Sequence, residues 1–200
     1  MDPFIYHLPV VLSQKKLLKK LPHAPPYRLS LEKGDKWEGV LLDTFDEEMF
    51  HSNKMLFQVR EMLFLCDLQT GQLIEQVSPE KWSFAGDLPD GPVTLLVKSV
   101  SRLRAFLPVA KVQLRFEHGL LLDDEGKTRA RFHNLTIGRG RKSIGVGSTQ
   151  YLRGYNQAHA DLRHSLEGIG ADICQDVGRV YNILEIKRRK YTAKPTIQLN

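Results

Sequence analysis

With 200 residues, 42% hydrophobic and 26% charged, the chain falls in the ordinary globular range and is long enough for one domain around one substantial core. A formal charge of +6 and a pI near 9.3 favour anionic partners, whether phosphates, nucleic acid or acidic protein, and say nothing about fold. Two cysteines, Cys66 and Cys174, are too far apart for a local metal knuckle and form no Cys-x-x-Cys pair, so buried reduced thiols are expected. The apolar stretch Met1 to Leu12 lacks a basic leader and a small-residue cleavage site, and no later stretch approaches a membrane span. The expectation is a cytoplasmic chain without membrane contact, in which the sequon Asn134-Leu135-Thr136 is a coincidence.

In chain order, Pro3 to Leu8 reads as a first strand, and Ser13 as the N-cap of a short basic helix over Gln14 to Leu21, ended by Pro22. Tyr27 to Lys33 and Lys36 to Thr44 alternate as two arms of a hairpin about Gly34-Asp35. Lys54 to Arg60, Met62 to Leu68 and Leu73 to Val77 continue a meander, with Thr70-Gly71 turning the last pair. After a loop rich in Pro, Gly and Asp, Val93, Leu96, Val97, Val100 and Leu103 fall at helical spacing, predicting a helix over Val93 to Phe106 that Pro108 stops. Val109 to His118 and Leu120 to Asp123 are predicted strands, Asp124-Glu125-Gly126 a tight turn, and Lys127 to Ile137 a long strand, with another ending near Leu152. Asn156 to Leu166 and Asp172 to Ile186 are predicted helices whose apolar stripes serve a core. The total is about eight strands with a minority of helix.

Strand parity carries the chemistry, because neighbouring side chains point to opposite faces. Lys127, Arg129, Arg131 and His133 share one parity, against Ala130 and Phe132; Lys111, Gln113 and Arg115 share another, against Val112, Leu114 and Phe116. Arg28, Ser30, Lys54, Gln58 and Arg60 add polar positions on earlier strands. In a barrel such faces would line a common cationic lumen; alternatively they are solvated and the apolar faces fill the interior. Parity alone does not decide.

Metal-assisted phosphoryl chemistry needs clustered carboxylates, and the basic strand offers none on its charged face. Asp43, Asp46, Glu47 and Glu48 gather where a turn or helix start would use them as caps, and Asp123, Asp124 and Glu125 occupy the hairpin turn. The seven histidines supply no zinc spacing, since His159 and His164 are five apart. No nucleophile elbow is present. The glycines between Gly138 and Gly147 fail as a phosphate loop because Arg141 precedes Lys142-Ser143, which leaves a flexible basic hairpin loop. Lys187-Arg188-Arg189-Lys190 reads as a solvated helix end, and no aromatic residues interleave with it as a nucleic-acid platform would need.

Several segments together resemble the CYTH, or triphosphate tunnel, superfamily. Leu41-Leu42-Asp43-Thr44-Phe45-Asp46, followed by the strand Met55 to Arg60, is similar to its strand end and arginine-bearing strand. Arg104 to Val109, Asp123 to Arg131 and Leu152-Arg153-Gly154-Tyr155 resemble CYTH-like segments found ahead of helical CHAD domains. Tyr191-Thr192-Ala193-Lys194-Pro195 resembles the linker between the two. The resemblance implies an α+β chain with a closed or nearly closed antiparallel eight-stranded β-barrel, a tunnel, with flanking and C-terminal helices. It implies one domain over 1–190 and a linker over 191–200 leading to a CHAD domain. Active members begin with a Glu-x-Glu-x-Lys strand that binds metal; here Phe4-Ile5-Tyr6-His7-Leu8-Pro9 stands in its place, and bases replace the late acidic pair at Arg129 and Arg131. The implied function is non-catalytic binding of polyphosphate or another phosphate-rich anion, with no cofactor, by Arg60, Arg104, Lys111, Arg115, Lys127, Arg129 and Arg131. Two alternatives stand beside it. One is a triphosphatase or adenylate cyclase-like enzyme gathering Mg²⁺ or Mn²⁺ through Asp43, Asp46 and Glu48; the other is an interaction domain for a downstream or separate partner.

Overall fold

Strand-forming alternation carries most of the chain into a single antiparallel sheet. A computed structural model describes residues 3–9, 11–21, 27–101 and 103–188; the expected linker over 191–200, Pro22, Arg189 and Lys190 lie outside them. The strands are β1 (Ile5–Leu8), β2 (Arg28–Thr44), β3 (Lys54–Val59), β4 (Met62–Asp67), β5 (Gln72–Val77), β6 (Phe106–Leu122), β7 (Thr128–Arg139), β8 (Lys142–Gln150) and β9 (Asp172–Ile173). Their order is β5-β4-β3-β2-β6-β7-β8-β1-β9, nine strands among the described residues rather than eight, with no ladder there joining β5 to β9. The helices are α1 (Gln14–Lys20), α2 (Glu48–His51), α3 (Pro92–Val100), α4 (Asn156–Gly168) and α5 (Val177–Ile183), none long and apolar enough to cross a membrane.

Three expectations about elements are corrected. The Gly34-Asp35 hairpin is a bulge inside one continuous strand: Lys33 pairs with Glu117 and Lys36 with Arg115, so Gly34 and Asp35 stand opposite Phe116 alone. A β-carbon on Gly34 would lie 2.8 Å from the Phe116 carbonyl oxygen, which is why glycine suits this close approach. The helix of residues 93–106 stops at Val100, and Pro108 belongs to β6 at a second irregularity, where Leu41 pairs with Ala110 and Leu42 with Pro108. The extra residue of that irregularity is Val109, and the interrupted ladder beside it is where a strand tolerates proline. The helix of residues 172–186 divides into β9, paired with β1, and α5, whose N-cap Asp176 accepts the Gly178 amide at 2.7 Å.

The sheet curls until distant strands touch across its inner face. Phe64 on β4 and Phe116 on β6 have ring centroids 4.5 Å apart, although β3 and β2 lie between their strands. Ser148 Oγ on β8 donates at 2.7 Å to the Gly71 carbonyl in the β4–β5 turn, so the two wings of the open sheet meet there. The enclosed space is apolar: Leu41, Phe57, Leu114, Leu135 and Val146 pack with Val177, Val180 and Tyr181 of α5. Two further clusters cover the outer face, one under α1 and α4, the other under α2 and α3. Of the two readings of strand parity, the filled interior is the one observed.

A candidate anion-binding face

Register decides where each cation points, because directly paired residues share a face. Arg115 pairs with Thr136 and Gln113 with Gly138, whereas Arg131 pairs with Leu120 and His133 with His118. The odd residues of β6 therefore lie opposite the even residues of β7. Lys111 and Arg115 face outward, while Arg131 and His133 take the inner face, and the two basic sets line no common lumen.

The remaining expected residues disperse. Arg104 bonds Asp46 at 2.9 Å and Lys127 bonds Glu125 at 2.5 Å. Arg129 is held by Asp123 and lies 4.2 Å over the Tyr155 ring. Burial opposes the charge of Asp123, but the Lys127 amide and the Arg129 guanidinium outweigh it and hold its pKa below the usual carboxylate range. Arg131 stands in a cavity of about 640 Å³ at the inner mouth of the sheet, beside His118 and His133.

Of the three acids proposed as alternative metal ligands, Asp43 and Asp46 are engaged structurally, while Glu48 Oε2 is buried without a hydrogen-bond partner. Asp43, 2% exposed, accepts the amides of Thr44 and Met49 on Oδ1 at 2.7 and 2.9 Å and that of Phe50 on Oδ2 at 3.0 Å, tying the end of β2 to α2. Burial pushes its pKa up against the pull of those amides. Asp46 carries the bond to Arg104. Among the described residues no group of three or more His, Cys, Asp or Glu is placed to hold a metal ion.

The glycine-rich turn is a tight hairpin with Gly140 at φ 61°, and two of its three cations serve the fold. Arg139 donates to the carbonyls of Leu184 and Glu185 at 3.0 and 2.7 Å, and Lys142 bonds Glu185 at 2.5 Å, so both grip the C-terminal end of α5 where its dipole favours positive charge. Arg188 likewise bonds Glu47 at 2.7 Å and lies 4.2 Å over the Phe50 ring, so it is docked rather than freely solvated.

What the fold does assemble is an outward cationic track. Lys33, Lys36, Arg115 and Lys111 follow one another on the outer face of β2 and β6, with Lys36 directly opposite Arg115. Among the described residues none of the four has an acid at salt-bridge distance. Lys15 and Lys19 of α1 border the same hollow as Lys33. At the other end lies a groove of about 1390 Å³, with Val40, Phe106 and Trp82 on its walls and Arg60, Lys81 and Lys111 around them. Gln58 fixes the loop that forms one wall: its amide donates to the carbonyls of Arg60 and Glu80 at 3.2 and 3.1 Å and its oxygen accepts Trp82 Nε1 at 3.1 Å. Arg60 itself holds a left-handed backbone, φ 53°, at the turn into β4. Two acids share the face of the track: Glu38, opposite Gln113, and Glu117, which is buried opposite Lys33 and accepts from Asn134 Nδ2.

Sequence reasoning reached Arg60, Lys111 and Arg115 but missed Lys33 and Lys36. Three apart, these two would take opposite faces of a regular strand; the bulge between them turns both outward. The signal available was Gly34, which read as a turn. Compared with models of known protein families and with curated protein sequences, the chain matches none.

Proposed function

We propose that this chain is a non-catalytic binding module for a phosphate-rich polyanion such as polyphosphate, a degenerate CYTH-like domain that takes its ligand along the outer face of β2 and β6. The observation that carries the reading is the Lys36–Arg115 pair: two cations held side by side, facing outward, with no acid partner among the described residues. Like charges directly opposite one another destabilise a sheet, and an anion bridging them removes that cost. Strand geometry supplies the rest. Successive outward residues recur about every 6.6 Å, so Lys33, Lys36 with Arg115, and Lys111 present positive charge at intervals along an extended path. No catalytic residue, metal or other cofactor takes part in this reading, and a CHAD domain remains the partner that the resemblance implies.

Polyphosphate labelled at one end and titrated by fluorescence anisotropy tests it. Binding by the whole chain should weaken with salt, with a slope of about −3 in log K against log salt if the four cations each meet a phosphate. Lys36→Glu with Arg115→Glu should abolish binding, whereas Arg131→Glu, on the inner face, should leave most of it. No binding at low salt, or equal loss with Arg131→Glu, sinks the proposal.

A further inference from the structure

The inner mouth of the sheet holds a feature unrelated to the outer track. His118 on β6 and His133 on β7 are direct cross-strand partners on the same face, and both line the cavity of about 640 Å³ between the β7–β8 wall and the edge of β5. Opposed side chains of an antiparallel pair have β-carbons about 4.5–5.5 Å apart, a separation that two imidazoles span when they share one ion through bonds of about 2.0–2.1 Å.

Hydrogen bonding already orients one ring. Ser148 Oγ gives its proton to the Gly71 carbonyl at 2.7 Å, so toward His133 Nε2, 3.4 Å away, it offers only a lone pair. That contact places the ring hydrogen on Nε2 and leaves the lone pair on Nδ1. A neighbouring hydrogen-bond partner that fixes the tautomer is the usual companion of a metal-ligating histidine. The cavity has room for further ligands, and its other polar groups include Gln150, Thr70 and Arg131. Imidazole donors suit borderline divalent transition ions rather than Mg²⁺ or Ca²⁺, which require oxygen.

We infer that His118 and His133 form a two-histidine site for a borderline divalent transition-metal ion, with its remaining coordination positions open to water or to an anion beside Arg131. The site is independent of the polyanion track, since its residues lie on the other face of the sheet.

The test is calorimetric titration of the full chain with Ni²⁺ at pH 7.5, alongside His118→Gln, His133→Gln and the control His164→Gln, whose side chain is exposed on α4. A single site is expected, weakened about tenfold or more by either of the first two changes and unaffected by the third. Electron paramagnetic resonance of the Cu²⁺-loaded chain should show two imidazole nitrogens, and one in each single variant. Equal Ni²⁺ affinity in the wild type and His118→Gln, or a one-nitrogen copper spectrum in the wild type, overturns the inference. His118 is exposed, so His118→Gln folds normally by circular dichroism and keeps the test decisive if His133→Gln is destabilised.

Discussion

Arg115 stands directly across the β6–β2 ladder from Lys36, so the sheet holds two positive side chains at cross-strand distance on its outer face. Such a pair costs stability where an opposite-charge pair would contribute about 0.2–1 kcal/mol. Lys36→Glu should therefore raise the melting temperature slightly while weakening polyphosphate binding. Thermal unfolding and anisotropy on the same preparation check this; a variant that loses both stability and binding would assign Lys36 to the fold.

Acid should destabilise the metal-free chain before its carboxylates titrate. Burial, with the charge of His118 second, depresses the pKa of His133 from 6.5 to about 4, and burial lowers His7 and His159 in the same direction. Each is neutral in the fold and takes a proton on unfolding. Stability is thus full above pH 6.5 and falls as pH drops toward 4, by roughly 3 kcal/mol for His133 alone. Urea unfolding between pH 7 and 4, with a chelator present, measures the slope, and His133→Gln should flatten it.

The interior tolerates truncation poorly. Phe57 has no exposed surface and sits in the cluster that α5 closes, so Phe57→Ala should cost about 3–5 kcal/mol in chemical denaturation. A cost below about 1 kcal/mol would mean that the inner face is not packed as described.

Asp43 holds three amides at the junction of β2 and α2. Asp43→Ala strands those donors in a buried place and should cost about 1–3 kcal/mol, and Asp43→Asn should recover only part, because an NH2 group, a donor, replaces one of the two accepting oxygens.

Both thiols should be inert in the fold. Burial pushes Cys66 up to about 12 and raises Cys174, so a thiol reagent should react with neither at neutral pH until denaturant is added. Rapid labelling of the native chain would contradict their burial.

The local alternation of Lys54–Val59 and Met62–Asp67 and the helical stripe of α4 were legible, because each writes its period into a few adjacent residues. So was the cap role of Asp43, whereas Asp46 and Glu47 bond Arg104 and Arg188 instead. The facing of the cations was not. It depends on which residue of β7 meets Arg115, and a shift by one position would have sent Arg131 to the same side. Gly34 was equally ambiguous, since a tight turn and a bulge both call for glycine. His118 and His133 carry no spacing signature, because their adjacency exists only in the ladder.

The first strand has a delayed partnership. Among the described residues β1 pairs with β8 and β9 alone, Ile5 matched to Ser148 and His7 to Asp172, so ribosomal synthesis delivers its edge long before these partners exist. The meander from β2 to β5 can assemble on neighbours already made, but the inner apolar face stays wet until α5 emerges. β8 and α5, both far downstream of β1, together act as the clasp that brings that strand home.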